Sequence, residues 1–160
     1  MPAPLRTPVV VGRPCSVAAA LELVGDRWSL LIVREVLFGN HRFSQIARNT
    51  GAPRDRLSAR LKALVAASIL ERRRYQDSPP RDEYHLSPAG RDLVPVLESL
   101  RRWGDKWGVD SPPLTVLHRD HPFRARTVCA GCGEHPRAED LHSHINAAGW
   151  APSGPISREG

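Results

Sequence analysis

The stretch Phe43-Ser44-Gln45-Ile46-Ala47-Arg48-Asn49-Thr50-Gly51-Ala52-Pro53-Arg54-Asp55-Arg56-Leu57-Ser58-Ala59-Arg60-Leu61-Lys62-Ala63-Leu64-Val65 decides the fold. Ser44 is placed to cap a short helix through about Asn49. Thr50-Gly51-Ala52-Pro53 then reads as a turn whose proline opens the next helix. That helix is expected from about Arg54 to Ser68. Its apolar positions Leu57, Leu61, Leu64 and Val65 make one stripe, while Asp55, Arg56, Ala59, Lys62 and, more obliquely, Ser58 face away from it. Two helices joined by a short turn, the second basic on its outer face, match a helix-turn-helix.

Upstream, Ser16 reads as the cap of a helix with Val17, Ala20, Leu21 and Val24 at helical spacing and Gly25 as its stop. Asp26 caps a second helix, Arg27 to Phe38, which is apolar nearly all round and therefore belongs at the centre of a core. Downstream, Ile69 to Tyr75 and Asp82 to Ser87 read as two strands around Gln76-Asp77-Ser78-Pro79-Pro80, with Tyr84 and Leu86 on one face. The first strand carries Arg72-Arg73-Arg74, so the hairpin is a basic wing. Strand alternation keeps Arg73 off the face shared by its two neighbours. Ser87 caps and Pro88 opens a last helix through about Trp107, with Leu93, Val96, Leu97, Leu100, Trp103 and Trp107 as its stripe and Pro95 bending it. The expected fold class is α+β, mainly α: a winged helix-turn-helix with a two-stranded wing and a small Cys/His-containing C-terminal extension. Its expected parts are an arm over 1–14, the winged helix over 15–108, a linker over 109–113, an extension over 114–150 and a frayed tail over 151–160.

The chain has 160 residues, 41% of them apolar and 25% charged, a globular balance that excludes a disordered chain. No apolar run is long enough for a membrane span, and the stretch Val17 to Val24 holds Glu22 and no cleavage pattern of a signal peptide. Three cysteines are too few for a disulfide scaffold, so a cytoplasmic protein is expected. The net charge is +6, yet between His41 and Arg81 ten Arg or Lys stand against three acids, so this window alone carries the whole positive excess. A concentrated basic segment inside a folded domain points to a polyanion, most often nucleic acid. Arg54, Arg56, Ser58 and Lys62 are expected to contact bases and phosphates. Arg42 and Ser44 sit where helix N–H groups meet a phosphate, and Arg72, Arg73, Arg74 and Arg81 serve the wing.

The run Cys15-Ser16-Val17, then Gly25-Asp26-Arg27-Trp28-Ser29-Leu30-Leu31-Ile32, resembles the opening of the HxlR-type winged helix-turn-helix regulators. The likeness continues through Leu37-Phe38-Gly39, Arg42-Phe43-Ser44 and Leu57-Ser58-Ala59-Arg60-Leu61. It ends with Leu70-Glu71-Arg72-Arg73, Pro79-Pro80-Arg81, Glu83-Tyr84, Leu86-Ser87 and Gly90. The resemblance implies a bacterial transcriptional regulator, expected to act as a repressor. It would bind a near-palindromic double-stranded operator as a homodimer paired through its first and last helices, nucleoid-associated when on DNA. Cys15 matches the N-terminal cysteine with which some such regulators sense oxidants or electrophiles, so a redox or small-molecule effector is implied. A thiol just before a helix gains from the helix dipole; the competing reading is a small buried core cysteine.

The extension holds His118-x2-His121 and Cys129-x2-Cys132-Gly133, two imidazoles and two thiols of the kind that would satisfy a tetrahedral structural zinc, with His135, His142 and His144 as substitutes; the competing readings are a disordered His-rich tail and a redox-active dithiol. The segment has few large apolar residues and so needs such a staple or docking to fold. Phosphate-binding loops, nucleophile elbows and H-E-x-x-H are absent, so no enzyme is expected. The competing classes are a winged helix that binds another protein and, far behind, a zinc-dependent nuclease built on the extension.

Overall fold

The computed structural model describes residues 11–156; the first ten residues of the sequence-read arm and residues 157–160 lie outside them. Cys15–Arg101 forms one compact unit. Gly12–Pro14 and the residues from Arg102 onward form a second, so the division falls inside the last helix and not after Gly108. In chain order the elements are α1 (Ser16–Val24), α2 (Ser29–Leu37), α3 (Phe43–Thr50), α4 (Arg54–Ala66), β1 (Leu70–Asp77), β2 (Pro80–Leu86), α5 (Pro88–Arg91) and α6 (Val94–Trp107).

The core of the first unit is built where the apolar periodicities meet. Ile32, Val33 and Val36 of α2, Ile46 of α3, and Leu57, Leu61 and Leu64 of α4 are buried together with Ile69 and Leu70. Leu37 and Phe38, at the end of the nearly all-apolar second helix, stay exposed, so only part of that helix is central. Asp26 makes the hydrogen bonds expected of a cap, to the N–H groups two and three places on, but the regular helix starts only at Ser29. Its Oδ1 accepts the Trp28 N–H at 2.8 Å and the Ser29 N–H at 3.1 Å, which folds Arg27-Trp28 into a turn and delays the helix to Ser29. The same carboxylate accepts the Ser29 hydroxyl and pairs with Arg60 Nη1 of α4 at 3.3 Å.

A second carboxylate, Glu35, is buried at 3% exposure and fully partnered. It pairs with Arg34 at 2.8 Å and accepts the side-chain amides of Asn40 at 2.8 Å and Asn49 at 2.9 Å, which ties α2 to the end of α3. The start of α3 corrects the expected cap. Ser44 lies inside the helix, Arg42 holds the cap position, and Gln45 Oε1 accepts the Arg42 N–H at 3.0 Å. Ser16 is likewise already helical, with Cys15 at the cap position. Between α3 and α4, Gly51 takes φ +69°, the left-handed turn that only glycine adopts without strain.

The wing is longer than the sequence reads. β1 and β2 pair antiparallel from Leu70↔Leu86 to Asp77↔Pro80, with a bulge at Tyr75 between Arg74 and Gln76. Arg42 and Glu83 form an isolated bridge that adds a third edge. Ser87 joins wing and helix: its hydroxyl donates to Ser68 O at 2.6 Å and accepts the Gly90 N–H at 3.0 Å. The expected single last helix is two. Pro95 has no N–H for the carbonyl of Arg91, so the chain turns at Asp92-Leu93 before α6 begins. Leu93 and Leu97 pack on the core, while Val96, Leu100, Trp103 and Trp107 are 45–66% exposed.

The second unit holds two short hairpins, β3 (Leu117–His118) with β4 (His121–Pro122) and β5 (Trp150–Ala151) with β6 (Gly154–Pro155), and a 3-10 turn at Ala138–Asp140. The last hairpin lies where a frayed tail was expected, and Arg13 Nη2 donates to Pro152 O at 2.7 Å. None of its described residues is buried. Among the described residues no helix is long and apolar enough to cross a membrane.

Burial alone would raise the Asp26 carboxyl. The Ser29 hydroxyl, the Trp28 N–H, Arg60 and the Ser29 N–H outweigh it and hold the group below its ordinary 3.8. A carboxylate lowered on folding contributes stability that is full above its unfolded value and is lost as pH falls through the folded one. Asp26→Asn is therefore expected to lower stability by about 1 kcal/mol at pH 7. Urea melts of wild type and variant should converge below about pH 3.

Candidate nucleic-acid interface

The burial of Leu57, Leu61 and Leu64 turns the opposite face of α4 to solvent, and Arg54, Arg56 and Lys62 are exposed on it, with Ser58 half-buried. The start of α3, the start of α4 and the tip of the wing enclose a cleft of about 380 Å³. Arg42, Ser44, Arg54, Tyr75 and Arg81 lie along its wall. Four of the residues expected to meet a polyanion thus converge from three separate elements. Arg54 is steadied over Phe43, its guanidinium carbon 5.3 Å from the ring centre, and Arg42 over Tyr75 at 4.6 Å. Such stacking leaves the edge of the Arg54 guanidinium open for phosphate or guanine, whereas Arg42 also holds Glu83 through Nε.

The wing arginines are different. Arg72 and Arg74 both pair with Asp82, the second at 3.5 Å, on one face of the hairpin. Arg73 faces the other way and pairs with Glu71 at 2.7 Å, as strand alternation requires. Arg42 pairs with Glu83 at 3.1 Å. These contacts hold the Asp82 carboxyl below its ordinary range through the Arg72 hydrogen bond, Glu83 through Arg42, and Glu71 through Arg73. Arg72 is raised in turn by Asp82. Arg56 stands 3.9 Å from Asp55, a loose exposed pair. Among the described residues, no carboxylate pairs with Arg54, Lys62 or Arg81.

The expected site residues thus fall into two sets: open cations on α4 and at the wing tip, and cations already engaged along the wing. Sequence reasoning named these cations but not their ion pairs: Asp82 and Glu83 stand just beyond the basic window, and Glu71 inside it was counted without being placed beside Arg73. The signal was present in the hairpin, where a residue two places from the directly opposite one lies diagonally across the strands. Tyr75 was also missed as a stacking platform, since the bulge that turns it toward Arg42 has no mark in the sequence.

Cys15 is exposed at the start of α1, which removes the buried-core reading. In the extension, His118 and His121 lie edge-on with ring centres 5.5 Å apart. Cys129 and Cys132 share a separate turn. The structure gathers these residues as two pairs; among the described residues no group of three or more His, Cys, Asp or Glu could hold a metal ion.

The HxlR-like helix-turn-helix family profile matches residues 23–112. An HTH-type transcriptional regulator of Mycobacterium tuberculosis, Rv3095, is 45% identical over 130 residues, covering 79% of this chain and 82% of its own. The crystal structure of PA1607, assigned as a transcription factor, superposes with a TM-score of 0.73 at 32% identity, over 81% of this chain and 94% of that one. The redox regulator HypR in its oxidized form gives a TM-score of 0.53 at 29% identity, over 57% of this chain and 96% of that one.

The two sets of cations should respond differently to substitution. Arg54→Ala and Arg81→Ala should each flatten the dependence of duplex-DNA affinity on salt by about one phosphate contact. Asp82→Asn, which releases Arg72 and Arg74, should steepen it by up to about two. Fluorescence anisotropy across a salt series checks this, and equal slopes in all three variants would show that the cleft faces no phosphates.

Proposed function

The chain belongs to the HxlR-like helix-turn-helix family and is a transcriptional regulator, and from that premise we propose that it binds a near-palindromic operator as a homodimer and represses transcription. The observation that carries this reading is the convergence of Arg42, Ser44, Arg54 and Arg81 on one cleft between two helix starts and the wing tip. In the proposed complex α4 lies in the major groove. Arg54 and Ser58 reach base edges, and Arg56 and Lys62 flank them toward phosphate. The start of α3, with Arg42 and Ser44, meets one backbone, and Arg81 with Arg72 and Arg74 meets the neighbouring one, while Arg73 on the opposite face of the hairpin stays off it.

The homodimer is supported by apolar surface that the single chain leaves open. Val17 and Leu21 of α1 are 66% and 57% exposed, and Val96, Leu100, Trp103 and Trp107 line one side of α6. Burying a large apolar side chain contributes about 1.5–3 kcal/mol, so six such positions in each copy would make a strong interface. Half-sites about one helical turn apart follow from a two-fold dimer.

A second reading concerns control. Cys15 is exposed on the element assigned to pairing, and the similar HypR is a redox regulator. Oxidation of Cys15 would then act where two copies meet.

Footprinting on the DNA upstream of its own gene should reveal protection over two inverted half-sites. Leu21→Asp and Leu100→Asp should give monomers by light scattering and abolish that footprint, while weak salt-sensitive DNA binding persists. Mild oxidant should release DNA from wild type and leave Cys15→Ser bound. A dimer-free protein that protects the operator fully would overturn the pairing, and indifference to duplex DNA would leave a protein-binding winged helix.

A further inference from the structure

Cys129 and Cys132 take no part in the nucleic-acid interface, yet the chain around them is closely organised. In Cys129-Ala130-Gly131-Cys132-Gly133 the Gly133 N–H donates to Cys129 O at 2.7 Å and the Cys129 N–H to Glu134 O at 2.8 Å. Gly133 takes φ +76°, which lets the chain reverse directly after the second thiol. Both cysteines are exposed. Cys129 Sγ accepts the backbone N–H groups of Cys132 and Gly131 and shares a hydrogen bond with the Cys132 side chain, and these contacts hold its thiol below the ordinary 9.0.

The ligand count distinguishes the metals such a turn could take. A structural zinc takes four ligands in a tetrahedron. Here the two thiols stand without a third His, Cys, Asp or Glu to make a metal-holding group among the described residues. His118 and His121 form no such group with the thiols, and His135 Nδ1 lies 2.5 Å from Thr127 O. Thiolates are soft ligands that select soft cations, cuprous copper among them, and such a d10 monovalent ion is satisfied by two.

We infer that the Cys129–Cys132 turn is a two-thiolate binding site for a soft monovalent metal cation of the cuprous type. On binding, two S–H bonds give way to two metal–sulfur bonds, both protons pass to solvent, and no electron changes hands. The two backbone N–H groups on Cys129 offset part of the negative charge of the pair. The exposed turn lets the ion enter without any rearrangement of the winged helix, so the site stands independently of the operator reading.

The test uses the full chain, reduced, with its three thiols counted before metal is added. Anaerobic titration with Cu(I) against a colorimetric chelator should give one equivalent per chain. Cys129→Ser and Cys132→Ser should each lose it, while Cys15→Ser and the double variant His118→Ala/His121→Ala should keep it. X-ray absorption should show two sulfur neighbours. Retention of Cu(I) by both Ser variants, or failure of the reduced wild type to bind it, would overturn the inference. So would one tightly held zinc that is lost with His118 and His121, because the site would then be a four-ligand staple.

Discussion

The fold hangs on the burial of one side of α4. Leu57 and Leu61 are fully removed from solvent and Leu64 nearly so, each contributing on the order of 2 kcal/mol. The partly exposed Arg60–Asp26 pair contributes less than about 1 kcal/mol, so the apolar stripe sets the rotation of α4 and the ion pair trims its position. Once the stripe is inside, Arg56 and Lys62 have nowhere to point but outward. Asp26 then relates α4 to the start of α2, and Glu35 relates α2 to the end of α3, so the three helices hold one arrangement. Both oxygens of the buried Glu35 are partnered, and replacing it would untie Asn40 and Asn49 from α2 and leave Arg34 without its counter-ion.

What was legible in the sequence was local. The spacing of Leu57, Leu61 and Leu64, the Gly51-Ala52-Pro53 turn, and Ser87-Pro88 at a helix start each carry their meaning within a few residues, and the corresponding elements stand where those signals put them. What was not legible depended on contacts between distant parts. Asp26 keeps the usual cap spacing but also takes Arg60, thirty-four positions away, which no local signal announces. The second part of the last helix starts afresh because Pro95 cannot return a hydrogen bond to Arg91, a break where only a bend was expected. The wing runs to Asp77 and Pro80 because cross-strand pairing carries on through a bulge at Tyr75 that no residue announces.

The candidate site divides the same way. The cations of α4 were readable, since periodicity alone places them outward. The cleft was not, because Arg42, Tyr75 and Arg81 come together only through the hairpin and its bridge to Glu83. In the extension, spacing suggested one set of two thiols and two imidazoles; it carried no information on whether one pair reaches the other, and among the described residues no three such side chains come together.

The acids at Asp82 and Glu83 give the wing its own resident anions. A guanidinium held by a carboxylate turns to a phosphate only when the phosphate offers more, and exposed pairs of this kind are weak enough for that exchange to occur. Duplex DNA carries one charge per about 1.7 Å of its axis, a density that a lone nucleotide or a sparse acidic loop does not match. On the proposed operator two stages of engagement would follow. Long-range attraction and first contact would fall to Arg54, Lys62 and Arg81, which pair with no carboxylate among the described residues. The ion-paired arginines of the wing would join afterwards, changing partners one at a time, so their influence would fall on how long the protein stays and not on how fast it arrives.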